Sequence, residues 1–200
     1  MINFDNINIS FDEKELYKDF YIEFKKNSIN FIMGESGVGK TTLIKHIKDE
    51  LLLKGYKISV TYQESRLIPW KNVYKNLDLV IKNKYDKEER KKYIKEILDK
   101  VNLNGIENLF PSELSGGMKQ RVSIARAILY SGDIFIMDEP FKGLDKDNKE
   151  NLIKYLKTYF EENNKTAIII SHDINEVKEF VNEFILLKNE PVEKKIVNID

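Results

Sequence analysis

The sequence predicts an α/β fold: a mostly parallel core sheet with helices on both faces and a helical insertion between sheet elements. Three observations carry this. Apolar runs of strand length, such as AIII at 167–170 and FILL at 184–187, alternate with amphipathic helical stretches. A glycine-rich loop, GESGVGKT at 34–41, stands between a buried-strand pattern and a helix pattern. Another apolar run, DIFIMDEP at 133–140, ends in two acids, and ligands of open α/β sheets bind at that end of the strands.

Taken in order, residues 2–9 (INFDNINI) and 20–24 (FYIEF) partly alternate apolar and polar, as half-buried strands do. SINFIM (28–33) is a buried strand running into the glycine loop. TTLIKHIKDELLLK (41–54) has helical periodicity, and Gly55 can end it. YKISVTYQ (56–63) is β-branched and aromatic, hence a strand. From 72 to 109 the chain is more polar and helical, with Ile94, Ile97, Leu98 and Val101 on one stripe. Residues 147–163 form a charged surface helix, TAIIIS (166–171) a buried strand, INEVKEFV (174–181) a short helix and FILLK (184–188) a last strand. No repeat or flexible linker divides the chain, so residues 1–200 read as one domain with a helical subdomain at about 70–130.

Apolar residues make up 42% of the chain and charged residues 33%, enough for both a core and solubility. Lys plus Arg equals Asp plus Glu, 33 each, so the basic excess of a nucleic-acid binder is missing and no such partner is expected. There is no cysteine, which fits a cytoplasmic setting. The N-terminus lacks a signal-peptide layout, and no run approaches the roughly 18 apolar residues of a membrane span. If this protein works at a membrane, another chain must supply the membrane part.

Gly34, Gly39, Lys40 and Thr41 fit the phosphate-loop pattern, with Glu35, Ser36, Gly37, Val38 and Thr42 completing the loop and helix start. Glycines let backbone N–H groups turn inward around phosphate oxygens. Lys40 is placed for the outer phosphates and the Thr41 hydroxyl for Mg²⁺. At the strand end 133–140, Asp138 is the candidate Mg²⁺ holder and Glu139 the candidate general base toward an attacking water. An acidic turn stopped by Pro140 is the plainer alternative, disfavoured by the phosphate loop.

A second anion-binding helix start follows from LSGGMKQR at 114–121, where Ser115 can cap and Gly116 and Gly117 allow close approach. With this stretch the chain resembles the nucleotide-binding subunits of ABC transporters, whose signature motif it matches. The resemblance implies a P-loop ABC ATPase fold, ATP and Mg²⁺ as ligands, and ATP hydrolysis coupled to transport. It also implies a head-to-tail pair with a second ATPase subunit, expected to be a homodimer, in which each signature helix caps the ATP held by the other. Further family marks fall in order: Gln63 as the Q-loop glutamine beside Mg²⁺ and water, Asp145 in FKGLD as the D-loop aspartate facing the opposite subunit, and His172 as the switch histidine. Phe11 is the candidate for the aromatic on adenine, with a core role as its alternative.

The segment between Lys40 and Gln63 is shorter than in most relatives, so the antiparallel subdomain beside the adenine is expected to be trimmed. No regulatory C-terminal domain is expected after FILLK. ESRLIPWKNVYKNL (64–77) is similar to the stretch after the Q-loop glutamine in importers of nitrate, sulfonate and taurine type. That implies transmembrane permease subunits as partners, an extracytoplasmic solute-binding protein acting indirectly, and a cytoplasmic place on the inner face of the cell membrane. The competing readings are a soluble ABC-type ATPase doing mechanical work on a non-membrane partner, and a nucleotide-gated binding protein with little turnover.

Overall fold

The computed structural model describes residues 1–12, 14–189 and 191–199, with the side chains of Phe11 and Lys14 left aside. Two long strands, β1 (Ile2–Phe11) and β2 (Lys14–Phe24), pair antiparallel as a separate two-stranded sheet. The main sheet has six strands in the order β4 (Ile58–Thr61), β5 (Ile134–Asp138), β6 (Thr166–Ile170), β3 (Ile29–Gly34), β7 (Glu183–Lys188) and β8 (Glu193–Asn198). Its first five strands are parallel; β8 closes the edge antiparallel to β7.

Alternation along the central strands divides the core in two, because successive side chains point to opposite faces. Phe31 and Met33 of β3, Phe135 and Met137 of β5, and Ala167 and Ile169 of β6 point into one cluster. That cluster is closed by α2 (Val73–Ile81), α3 (Lys87–Lys100), α4 (Gly116–Tyr130), α5 (Lys146–Glu162) and α6 (Ile174–Phe180). Ile32, Ile134, Ile136, Ile168 and Ile170 point the other way, into a cluster made with α1 (Lys40–Leu53) and the β1–β2 sheet. All five residues of β5 and of β6 are buried, which explains their unbroken apolar runs.

The expected trimming of the antiparallel part is present: only residues 54–57 connect α1 to β4, and no hairpin intervenes. The stretch 72–109 resolves into α2 and α3, with Ile94, Ile97, Leu98 and Val101 all buried as their spacing predicts. Three expectations need correction, and one element is new. β2 begins at Lys14, because Tyr17 and Leu16 are already buried against the body of the protein. β4 is shorter than 56–63, because the Tyr56 amide donates to Leu51 O at the end of α1. A 3₁₀ turn at Pro111–Glu113 precedes the signature helix. FILLK is not the last strand: β8 follows, an edge strand whose lysines and exposed Ile196 hide the alternation.

Gly132 joins α4 to β5 where two backbones nearly touch. A Cβ there would lie 2.6 Å from Ser59 N and 2.7 Å from Lys57 O. The same junction is tied by Ser59 Oγ, which donates to Ala127 O (2.8 Å) and accepts from Gly132 N (2.9 Å). Gly132→Ala is expected to cost about 1–3 kcal/mol by overpacking. Urea unfolding of the two chains checks this, and an unchanged midpoint would mean that β4 shifts freely.

Candidate functional site

Because β3, β5 and β6 are adjacent and parallel, their C-terminal ends meet at one edge of the sheet. A cleft of about 1090 Å³ opens there, lined by residues 34–42, Gln63, Asp138, Glu139, Lys142, His172 and residues 186–189. The phosphate loop, the strand-end acids, the glutamine and the histidine named from the sequence are thus brought together.

The loop leaves β3 at Gly34, where a Cβ would sit 2.7 Å from Leu187 O. Gly39, at φ 103°, has the left-handed backbone that glycine tolerates, and a Cβ there would press on Leu16 and Tyr17. Tyr17 Oη donates to Gly39 O at 3.1 Å, so the β1–β2 sheet braces the loop. Helix α1 starts at Lys40 with no side-chain cap on its first N–H groups. The other five α-helices are capped by Asn72, Asp86, Ser115, Asp145 and Asp173. Among the described residues, the one α-helix start without a side-chain cap therefore lies in the cleft, with its dipole and free donors available to an anion.

Lys40 Nζ donates to Gly34 O and Glu35 O, both at 2.7 Å, and spans the loop. Burial lowers its pKa, opposed by the nearby Glu139 and Asp138 carboxylates. Thr41 Oγ1 donates to Asp138 Oδ2 at 3.3 Å. Burial raises the Asp138 pKa, and Glu139 adds to this, against the Thr41 hydrogen bond and the charges of Lys40 and Lys142. Glu139 has φ 46°, and its amide donates to Ile170 O at 3.0 Å, which fixes the turn against β6. Its Oε1 lies 3.4 Å from His172 Nδ1 and its Oε2 3.3 Å from Lys142 Nζ. Oε2 is nevertheless buried without a properly directed hydrogen bond, an unsatisfied acceptor beside the cleft. The His172 side chain is 63% exposed.

This donor set fits a polyphosphate with a divalent cation. Among the described residues no three His, Cys, Asp or Glu side chains gather as a metal cage. Thr41, Asp138 and Gln63 offer only neutral or single-carboxylate oxygens, which suits Mg²⁺ shared with phosphate.

Ser115, Gly116, Gly117 and Asp145 do not line the cleft. Ser115 caps α4 by accepting from Met118 N, and Ser115 and Gly116 are exposed. A Cβ on Gly117 would lie 3.0 Å from Gly143 O, so the signature start packs on the loop before α5. Asp145 is exposed and caps α5 through Asn148 N (3.0 Å) and Asn148 Nδ2 (2.7 Å), which hold its carboxyl below the usual range. The Phe11 side chain lies outside the described residues. Sequence reasoning missed Tyr17 and Lys142: Lys142 lies in the quoted FKGLD stretch, whereas nothing in the sequence marks Tyr17 as a neighbour of Gly39.

The family model described as ABC transporter matches residues 49–142. An aliphatic sulfonates import ATP-binding protein of Bacillus cereus is 33% identical over 88% of this chain and 75% of that protein. A methionine import ATP-binding protein of Enterococcus faecalis is 31% identical over 94% of this chain and 61% of its own length. Among solved structures, a dimeric ATP-binding cassette in a post-hydrolysis state bound to ADP and Pi superposes with TM-score 0.87 at 29% identity, over 100% of this chain and 99% of that one. Fold, cleft and relatives agree: the chain belongs to the ABC transporter family, as one of its ATP-binding and ATP-hydrolysing subunits.

Proposed function

We propose that this ATPase subunit drives an importer of small solutes, of the nitrate, sulfonate or taurine type, as a head-to-tail homodimer. It binds separate permease subunits at the inner face of the membrane, and an extracytoplasmic solute-binding protein delivers the cargo. The observation that carries this reading is the division of anion-binding helix starts: one uncapped in the cleft, the other glycine-rich and exposed away from it. The import function in the names of the relatives supports the direction of transport.

In this reading the whole chain is one ABC ATPase domain with its helical subdomain at about 70–130. The N–H groups of residues 34–42 and the Lys40 ammonium grip the phosphates of ATP. Thr41, Gln63 and Asp138 hold Mg²⁺. The cation neutralises charge that develops on the phosphate oxygens. Glu139 takes the proton of the attacking water. His172 orients Glu139 and holds the γ-phosphate. Ser115, Gly116 and Gly117 of one copy close over the ATP of the other, adding aligned dipoles and excluding water, and Asp145 contacts the opposite copy. Trp70, 76% exposed on the segment after Gln63, meets the permease.

Gentle affinity purification from detergent-solubilised membranes tests the transporter assignment. A stoichiometric multi-span membrane protein is expected, recovered in lower yield with Trp70→Ala; recovery of soluble proteins alone would overturn it. Glu139→Gln should give an ATP-stabilised dimer on size exclusion, with turnover at least about 100-fold lower. A monomer in ATP, or normal turnover, would remove these roles. Since burial raises the Asp138 pKa, its carboxylate protonates at a higher pH than an ordinary aspartate. Mg²⁺ holding therefore weakens as pH falls, sooner than at an exposed carboxylate. The Mg²⁺ concentration for half-maximal hydrolysis should rise on acidification, and Asp138→Asn should flatten that dependence.

A further inference from the structure

His172 is exposed, and its one polar side-chain contact among the described residues is with Glu139. A ring held so loosely takes its direction from the backbone beneath it. That backbone, residues 171–173, is fastened from inside the protein. Ser171 Oγ accepts from Asp173 N at 3.0 Å and donates to Glu176 Oε2 at 2.6 Å. Glu176 is buried, and its other oxygen accepts from Lys149 Nζ at 2.7 Å. Lys149 Nζ also reaches Asp173 Oδ2 at 3.4 Å. One ammonium thus holds Asp173 directly and Ser171 through the buried Glu176 carboxylate.

Lys149 stands on the first turn of α5, itself anchored elsewhere. The neighbouring Asn148 uses Oδ1 to accept from Arg121 Nη1 of the signature helix and from Asn102 Nδ2, each at 2.9 Å. Arg121 Nη1 also donates to Val101 O and Asn102 O at the end of α3. The base from which Lys149 reaches is therefore fixed against two helices. Hydrogen bonding to Glu176 keeps Lys149 firmly charged by raising its pKa, despite partial burial. Neither Lys149 nor Glu176 lines the cleft.

We propose that Lys149 and Glu176 are positioning residues for hydrolysis, clamping the 171–173 turn so that His172 faces Glu139. The proposal rests on the role given above to His172. A displaced ring costs rate and leaves the grip on the phosphates intact, because small misplacements act on the reacting geometry.

The test is ATP hydrolysis by the purified full chain, under single-turnover conditions so that slow variants stay measurable. Lys149→Met should lower the rate constant about tenfold, with the ATP concentration for half-saturation changed less than about twofold. Lys149→Arg, which keeps charge and donors, should return the rate to within about threefold of the original. In a His172→Ala background Lys149→Met should lower the rate no further, since both act through one ring. Urea unfolding runs alongside. If Lys149→Met does not fold, Glu176→Gln, which keeps an acceptor for Ser171, carries the same comparison. A full rate in Lys149→Met, an equal loss with and without His172, or no recovery with arginine would overturn the clamp. A slow His172→Ala beside a normal Lys149→Met would overturn this proposal alone. A normal His172→Ala would instead remove the role of His172, and the clamp with it.

Discussion

The double burial of β5, β6 and β3 is the constraint on which the rest depends. Each strand sends alternate side chains into two separate cores, so none can slip by one residue without turning its apolar set the wrong way. Register is therefore fixed, with Asp138 opposite Ile170 and Ile32 opposite the same residue from the other side. The strand ends that carry Gly34, Asp138 and Ser171 are then held level by packing far from any ligand. The chemistry is placed by the core, and the loops need only short reaches: five residues from Gly34 to Gly39, one from Asp138 to Glu139, one from Ser171 to His172.

The charges in the cleft are arranged to be exchanged. Lys40 is satisfied by two loop carbonyls, which are neutral acceptors, while the anionic Glu139 and Asp138 stand nearby. A phosphate oxygen offers that ammonium a charged acceptor in a partly desolvated place, where charge-assisted bonds are stronger. Thr41 donates to Asp138 and so ties the start of α1 to the end of β5. Glu139 has one oxygen turned to His172 and the other near Lys142 without a directed bond. That carboxylate is thus held beside His172 while the accepting capacity of its buried second oxygen is left unused.

Much of this was legible in the sequence, for physical reasons that differ by element. The glycines at 34 and 39 are forced by contacts that a Cβ would violate, so their pattern announces a backbone that turns closely. β5 and β6 are buried on both faces and read as unbroken apolar runs. β8 escaped because an edge strand faces solvent, and its Lys194 and Lys195 obscure the alternation. Tyr17 escaped because its partner, Gly39, comes from a different sheet, and no local spacing encodes that meeting. The tie between Lys149 and Ser171 is of the same kind: Lys149 of α5 meets Ser171 through Glu176 of α6, and in the sequence Lys149 and Glu176 look like ordinary surface charge.

The treatment of helix ends explains why one chain should carry two anion-binding starts. An exposed helix start that caps itself is stable alone, and α4 does so through Ser115. Its flanking glycines, Gly116 and Gly117, keep the approach to the remaining N–H groups open, since only Gly117 has close neighbours and those belong to the loop before Asp145. α1 lacks such a cap and leaves its donors to whatever fills the cleft. The two starts are thus complementary in kind: one needs an anion to complete it, the other is complete and can still present donors to a second surface. α4 starts outside the cleft of its own chain, and in the head-to-tail pair proposed above its donors would face the cleft of the second copy. A pair related by a two-fold axis would satisfy both starts at once, with Asp145 beside the contact on each side.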